Sequence, residues 1–264
     1  MSKLSKLIKA LGMIVSKPYL LNKVLDDNDA WKTRVENEFG ATALPEVSLG
    51  ELMAGKELSV KPFAFMEGGS LPTDLALLKL LAGSIEGCKY FEIGTWRGES
   101  VANVSEVADS CVTLNLPLKS MREMGLSEDY INQHAMFSHE LNNVTHLEGN
   151  SLEYDFAALN TKYDLVFIDG DHHYESIMKD TEKVFARLLH KKSIVVWHDY
   201  AWQPGNIRHE TMAAILAGIP EDLRGKVYAV RNTLCAMYHP GELNSYPASV
   251  VAKKEEAFEL KLKA

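Results

Sequence analysis

Cysteine is scarce in this 264-residue chain: there are three, Cys88, Cys111 and Cys235, widely spaced and set mostly in apolar runs. That spacing fits neither a zinc site nor a disulfide framework, so buried free thiols and a reducing cytoplasm are expected. No stretch reaches the roughly 18 apolar residues that a membrane-spanning helix needs. The core region shows no cluster of Lys and Arg, and the net charge is −8, which argues against nucleic acid as the main partner. Internal repeats and low-complexity tracts are absent. So is the Gly-x-Gly-x-x-Gly turn of nicotinamide-dependent enzymes, which disfavours that class.

What the chain does have is a strand that stops at a glycine turn. Residues 90–100 read YFEIGTWRGES, an apolar run ending in Glu92 and then Gly94 and Gly98. Glycines there let backbone N–H groups approach a ligand, and the following helix presents its positive end. Glu92 is suited to accept hydrogen bonds from an amine or hydroxyl rather than to meet a phosphate. Two further short β-branched and aromatic runs, YDLVFIDGDHHY over 163–174 and SIVVWHDY over 193–200, also end in acids and imidazoles. Helical spacing at Ile177, Val184, Leu188 and Leu189 lies between them. In open α/β sheets ligands bind beyond the carboxyl ends of parallel strands, so Glu92, Asp169 and Asp199 point to one crevice.

These motifs, with VTLNLP, LEGNS and VVWHDY, resemble the class I S-adenosylmethionine (SAM) methyltransferases. The resemblance is to the macrocin-type sugar O-methyltransferase branch and, more distantly, to the metal-dependent catechol and caffeoyl-CoA O-methyltransferases. It implies an α/β fold, Rossmann-like, with a seven-stranded mostly parallel sheet, helices on both faces and an antiparallel last strand. It also implies SAM as cofactor, held by Glu92, Gly94, Thr95, Gly98, Ser100, Asn115, Asn150, Ser151 and Asp169. Asn115 departs from the family, which keeps an acid there for the ribose hydroxyls. Asn150 and Ser151 fall where the family contacts adenine, and either also suits a helix N-cap. His172 stands where metal-dependent relatives carry a lysine base, so the resemblance makes His172 the first choice as base, with Asp169 in the same centre and His198 and His173 behind it. A divalent ion would be held by Asp169, His198 and Asp199; the carboxylates suit Mg2+, while His198 tilts toward Mn2+, Zn2+ or Fe2+. The rival reading is a non-haem metal oxygenase or hydrolase using His172, His198 and Asp199, which leaves the Glu92 turn without a purpose.

Three regions follow: 1–65 as a helical N-terminal cap or oligomerisation region, 66–240 as the catalytic domain, and 241–264 as a tail. Leu4, Leu7, Ile8, Leu11, Ile14 and Val15 follow helical spacing with lysines elsewhere on the wheel. This helix is expected to dock on a partner subunit of a homo-oligomer or on the protein's own core, with membrane-surface contact as the alternative. Ser70 or Thr73 is expected to cap a helix over 73–81, beside which Gly68 and Gly69 approach the cofactor. Residues 118–142 read as a variable crossover. Asp180 and Glu182 read as a solvated helix side, Asp171 as a cap, His209 and Glu210 as a closing segment or a surface helix, Trp197 as core and Trp202 as a pocket wall. The acceptor is expected to be a small molecule, a sugar or other polyhydroxylated metabolite by resemblance.

Overall fold

The computed structural model describes residues 2–20, 28–61, 69–248 and 258. An eight-stranded sheet forms its centre, with strands β1 (Glu46–Val47), β2 (Lys89–Ile93), β3 (Ser110–Asn115), β4 (Val144–Glu148), β5 (Tyr163–Ile168), β6 (Leu189–Trp197), β9 (Val227–Val230) and β10 (Ala236–Tyr238). The spatial order is β1-β9-β10-β6-β5-β2-β3-β4, and a separate two-stranded ribbon pairs β7 (Ala201–Gln203) with β8 (Asn206–Ile207). All central pairings are parallel except those of β10, which runs antiparallel to both β6 and β9. The expected reversed last strand is present. The eighth strand is the difference: Glu46–Val47, inside the presumed cap, pairs with Ala229 and Val230 and extends the sheet.

The central strands are mostly apolar because both faces are covered. On β2, Phe91 and Ile93 enter one core with Val166, Trp197 and Ile215, whereas Tyr90 enters the other with Leu77, Val101 and Phe167. The helices Tyr174–Arg187, His209–Gly218 and Asn28–Phe39 pack together over the first face, and Pro72–Gly83 and Glu99–Val104 over the second. Trp197 is fully buried, as its sequence context implies, and all three cysteines are buried and free.

Several local expectations change. The helix after Gly69 begins with Pro72 behind Leu71, and the cap is the Asp74 carboxylate, which accepts the Leu71 N–H at 2.7 Å, rather than Ser70 or Thr73. Asp180 is buried rather than solvated, while Glu182 is exposed. Asp171 does not cap the Tyr174–Arg187 helix; it accepts from Ser176 Oγ at 2.7 Å, and Glu210 takes the Tyr174 N–H at 2.9 Å. Glu210 and the buried His209 therefore begin a packed helix. Residues 118–142 hold only two short helices, Leu118–Glu123 and Glu128–Ile131. Gly68 and the tail residues 249–257 and 259–264 lie outside the described residues. Among the described residues no helix is long and apolar enough to cross a membrane.

Candidate active site

The chain runs β2, β3, β4 outward in one direction and then returns to place β5 on the other side of β2. That reversal opens a crevice at the carboxyl ends, the position where α/β sheets bind ligands. The ladder continues one residue past the strands: Gly94 N–H donates to Leu114 O (2.9 Å), Asp169 N–H to Ile93 O (2.8 Å) and His198 N–H to Ile168 O (3.1 Å). The turn residues are thereby fixed by the sheet. Gly94 has φ +93°, and a Cβ there would lie 1.9 Å from Asp169 O, so only glycine fits.

Above these ends lies a cavity of about 790 Å³. Gly94, Thr95, Ser100, Asn115, Asn150 and Ser151 line one part, and Asp169, His172, His198 and Asp199 line another, joined by Gly69 and Ser70. Ten of the twelve residues expected to hold cofactor or metal or to act in catalysis thus meet in one space. Two do not reach its wall. Gly98 is turned into the crossover, where a Cβ would meet Ser138 Oγ at 2.2 Å. Glu92 lies fully buried beneath the floor, where its Oε2 accepts from Tyr90 Oη at 2.5 Å and its Oε1 has no hydrogen-bond partner. Desolvation pushes the Glu92 pKa up to about 8, eased by Tyr90 and by the Ser100 hydroxyl of the cavity lining. Trp202 is exposed and forms no wall, and His173 does not line the cavity but pairs at 2.6 Å with Asp171, which does.

The second part of the lining is a chain of carboxylates and imidazoles. His172 Nδ1 lies 2.9 Å from Asp199 Oδ2, and His198 Nδ1 lies 3.2 Å from Asp169 Oδ1 and 3.4 Å from Asp199 Oδ1. The other nitrogen of His198 faces Asp74 at 3.2 Å. Burial alone would make His198 a weaker base, but Asp169 first, then Asp199 and Asp74, overcome this and raise its pKa well above the ordinary value. For His172 desolvation is likewise outweighed, here by the bond to and charge of Asp199, and its pKa is raised. Burial works against ionised Asp199, yet its two histidine partners hold it well below the usual carboxylate range. Asp199 adopts φ +54°, a strained backbone for a non-glycine residue, which aims its carboxylate between the two rings.

This geometry alters the expected ligand set. The oxygens of Asp169 and Asp199 and a nitrogen of His172 lie within 4.8 Å of one another, a grouping that could hold a cation. His198, expected there, instead has both nitrogens engaged by carboxylates. The rival set of His172, His198 and Asp199 is joined through Asp199, which lies 2.9 Å from one ring and 3.4 Å from the other.

Some wall residues carried no motif. Trp96, with φ +37°, stacks on Tyr130 at 5.4 Å and carries the Arg97 guanidinium 4.0 Å from its ring; Met121, Met124 and Leu126 continue that wall. The crossover is tied to the glycine turn by Ala135 N–H to Trp96 O (2.5 Å) and Phe137 N–H to Arg97 O (3.0 Å). Asp74 was also missed, although an acid inside the otherwise apolar LPTDLALL was a usable signal.

Residues 91–200 match a family model described as a methyltransferase domain. That match spans 110 of the 264 residues. It is also similar to protein R132 of Acanthamoeba polyphaga mimivirus, 26% identical over 148 residues that cover 53% of this chain and 66% of that one. Among solved structures it is similar to SAH-bound methyltransferase PaMTH1 of Podospora anserina, with 15% identity, TM-score 0.42 and coverage of 66% of this chain and 81% of that one. A second is SAM-bound CalS10 of Micromonospora echinaspora, an amino pentose methyltransferase, with 14% identity, TM-score 0.39 and coverage of 58% and 61%. The chain spans about half the length of several solved structures that it matches.

Proposed function

We propose that this methyltransferase domain uses SAM to methylate a hydroxyl oxygen on a small polyhydroxylated acceptor. The observation that carries this reading is the single cavity in which a glycine-turn half and a histidine–carboxylate half are continuous.

The lining fits a donor of that kind. A cavity of about 790 Å³ falls in the range of roughly 300–1,000 Å³ for small-molecule sites. Thr95 Oγ1 is buried in the lining with no hydrogen-bond partner, as expected of a group waiting for a polar ligand. Asn150 and Ser151 present polar groups on the adenine side of this reading. Asn115 Oδ1 already accepts the Thr95 N–H at 3.2 Å and its amide nitrogen is engaged by Leu116 O and His134 Nδ1, so it offers a ribose hydroxyl a second lone pair rather than a charged acceptor. When bound, SAM supplies an electrophilic methyl carbon on a sulfonium leaving group.

The protein's part is positioning and proton removal. In this reading His172 is the base: its Nδ1 is held by Asp199, leaving Nε2 to take the acceptor's hydroxyl proton while Asp199 balances the imidazolium that forms. A second role for His172 is favoured by its grouping with Asp169 and Asp199, which fits a divalent ion with mixed oxygen and nitrogen donors, Mg2+ or Mn2+. Such an ion would polarise an acceptor hydroxyl. Metal titration separates the roles, because loss of Mn2+-induced stabilisation in His172→Ala assigns the ring to the ion rather than to the proton.

The cofactor is tested by thermal shift. S-adenosylhomocysteine (SAH) raises the melting temperature, and NAD and 2-oxoglutarate do not. Stabilisation by NAD or 2-oxoglutarate with none by SAH refutes the reading.

A further inference from the structure

We infer that the N-terminal helix Lys3–Ser16 is a docking element for an anionic lipid surface, on which it lies with its apolar face in the interface. The helix begins properly, with the Ser2 side chain accepting the Ser5 N–H at 3.2 Å. No residue in it is buried, which overturns the expectation that it docks on the protein's own core. Leu4, Leu7, Ile8, Leu11 and Val15 form one exposed strip; Leu4 is 67% and Val15 82% exposed. At 100° per residue these side chains and Ile14 fall on one side of the wheel, and Lys6 and Lys9 fall opposite.

Charge selects the occupant. Residues 2–20 contain Lys3, Lys6, Lys9 and Lys17 and no acidic residue, in a chain whose overall charge is −8. An apolar stripe backed by lysines is the arrangement that binds bilayer interfaces carrying anionic lipids. A second copy of this helix is a poorer fit, because pairing two such stripes leaves the lysines on the outer faces with no carboxylate in the segment to partner them. The rest of the described surface offers no comparable apolar strip. Its other large exposed apolar side chains are Val107, Met124, Leu126, Met136, Trp202 and Phe258, and two of these, Met124 and Leu126, line the cavity.

The experiment is flotation of the full chain with vesicles of phosphatidylcholine alone and of phosphatidylcholine with phosphatidylglycerol, at low and high salt. Light scattering is run alongside. Two double variants are compared, Leu7→Glu with Leu11→Glu and Lys6→Glu with Lys9→Glu; all four side chains are exposed, and an unchanged melting temperature verifies the fold. The expected result is at least several-fold more protein floating with phosphatidylglycerol vesicles, reduced by salt and lost in both variants. No flotation of the wild type overturns the inference, as does flotation that survives Leu7→Glu with Leu11→Glu. An oligomer dissolved by that variant, in a protein that does not float, overturns it by assigning the strip to a second copy. SAH binding is independent of all these readouts, so the proposed activity and the docking surface stand or fall separately.

Discussion

Replacing Glu92 with Gln makes the protein more stable at high pH and leaves it little changed at low pH. The carboxyl is fully buried, and desolvation moves its pKa from an ordinary 4.5 to about 8 in the folded chain. The folded state therefore holds this proton more tightly than the unfolded state does. Stability from the protonated form is fully present below about pH 4.5 and is lost as pH rises through about 8. Each pH unit in that window is worth about 1.4 kcal/mol, which sets a ceiling on the order of 5 kcal/mol; local relaxation or water entry lowers it. Gln has nearly the same shape, its carbonyl can still accept from Tyr90 Oη, and it has no charge to bury. Urea denaturation at a series of pH values measures the difference between variant and wild type. It should be near zero around pH 5, grow in favour of Gln toward about pH 8, and then level off. A pH-independent difference refutes the reasoning, since a flat offset reports packing rather than a displaced ionisation. On the proposed reading SAH binding moves the opposite way: with no ionisable carboxyl beneath the floor behind Ser100 to attract the donor's ammonium, the stabler variant binds SAH more weakly. Unweakened SAH binding removes Glu92 from the cofactor site.

Three other outcomes follow from the geometry. Gly94→Ala, with a Cβ 1.9 Å from Asp169 O at φ +93°, should cost at least about 2 kcal/mol of stability and abolish SAH binding; a normal denaturation midpoint would show that the turn relaxes freely. Lys183→Met removes an ammonium that donates to Ser151 O (2.8 Å) and Leu152 O (2.5 Å), so SAH affinity by calorimetry should fall about tenfold, or about 1.4 kcal/mol, and unchanged affinity would separate this loop from the cofactor. His172→Ala should lose at least about 100-fold in SAH release with an accepted hydroxyl substrate while keeping SAH affinity; retained turnover transfers proton removal elsewhere.

The sheet and the cavity at its strand ends were legible because a doubly covered parallel strand has a distinctive form, an apolar run stopped by a glycine turn or by acids. YFEIGTW, VFIDGDHH and VVWHDY each have it, and each lies where that form implies. What was not legible depends on contacts between segments distant in sequence. Asp180 looked solvated because its neighbours Lys179 and Glu182 are polar, yet the helix turns it inward toward Ser151, and its pKa rises to about 6 through desolvation. Glu46–Val47 is too short to show strand periodicity and is a strand only because β9 supplies a partner. The crossover's role as a wall rests on Trp96 and Tyr130, 34 positions apart, finding each other.

His198 shows how that limit bears on chemistry. Sequence spacing alone sets it beside Asp199 and makes it an attractive ligand or base. Asp74 arrives from a helix 124 residues earlier and takes Nε2, while also accepting the Leu71 N–H (2.7 Å) and the Leu234 N–H (2.8 Å). With three carboxylates around a buried ring, the charged form of His198 is the stable one, and its Nδ1 then faces Asp169 and Asp199 as a cation. A buried imidazolium of this kind does not accept a proton. It holds two acids close together that would otherwise repel, and leaves His172, whose side chain is about half exposed, as the imidazole able to meet an acceptor.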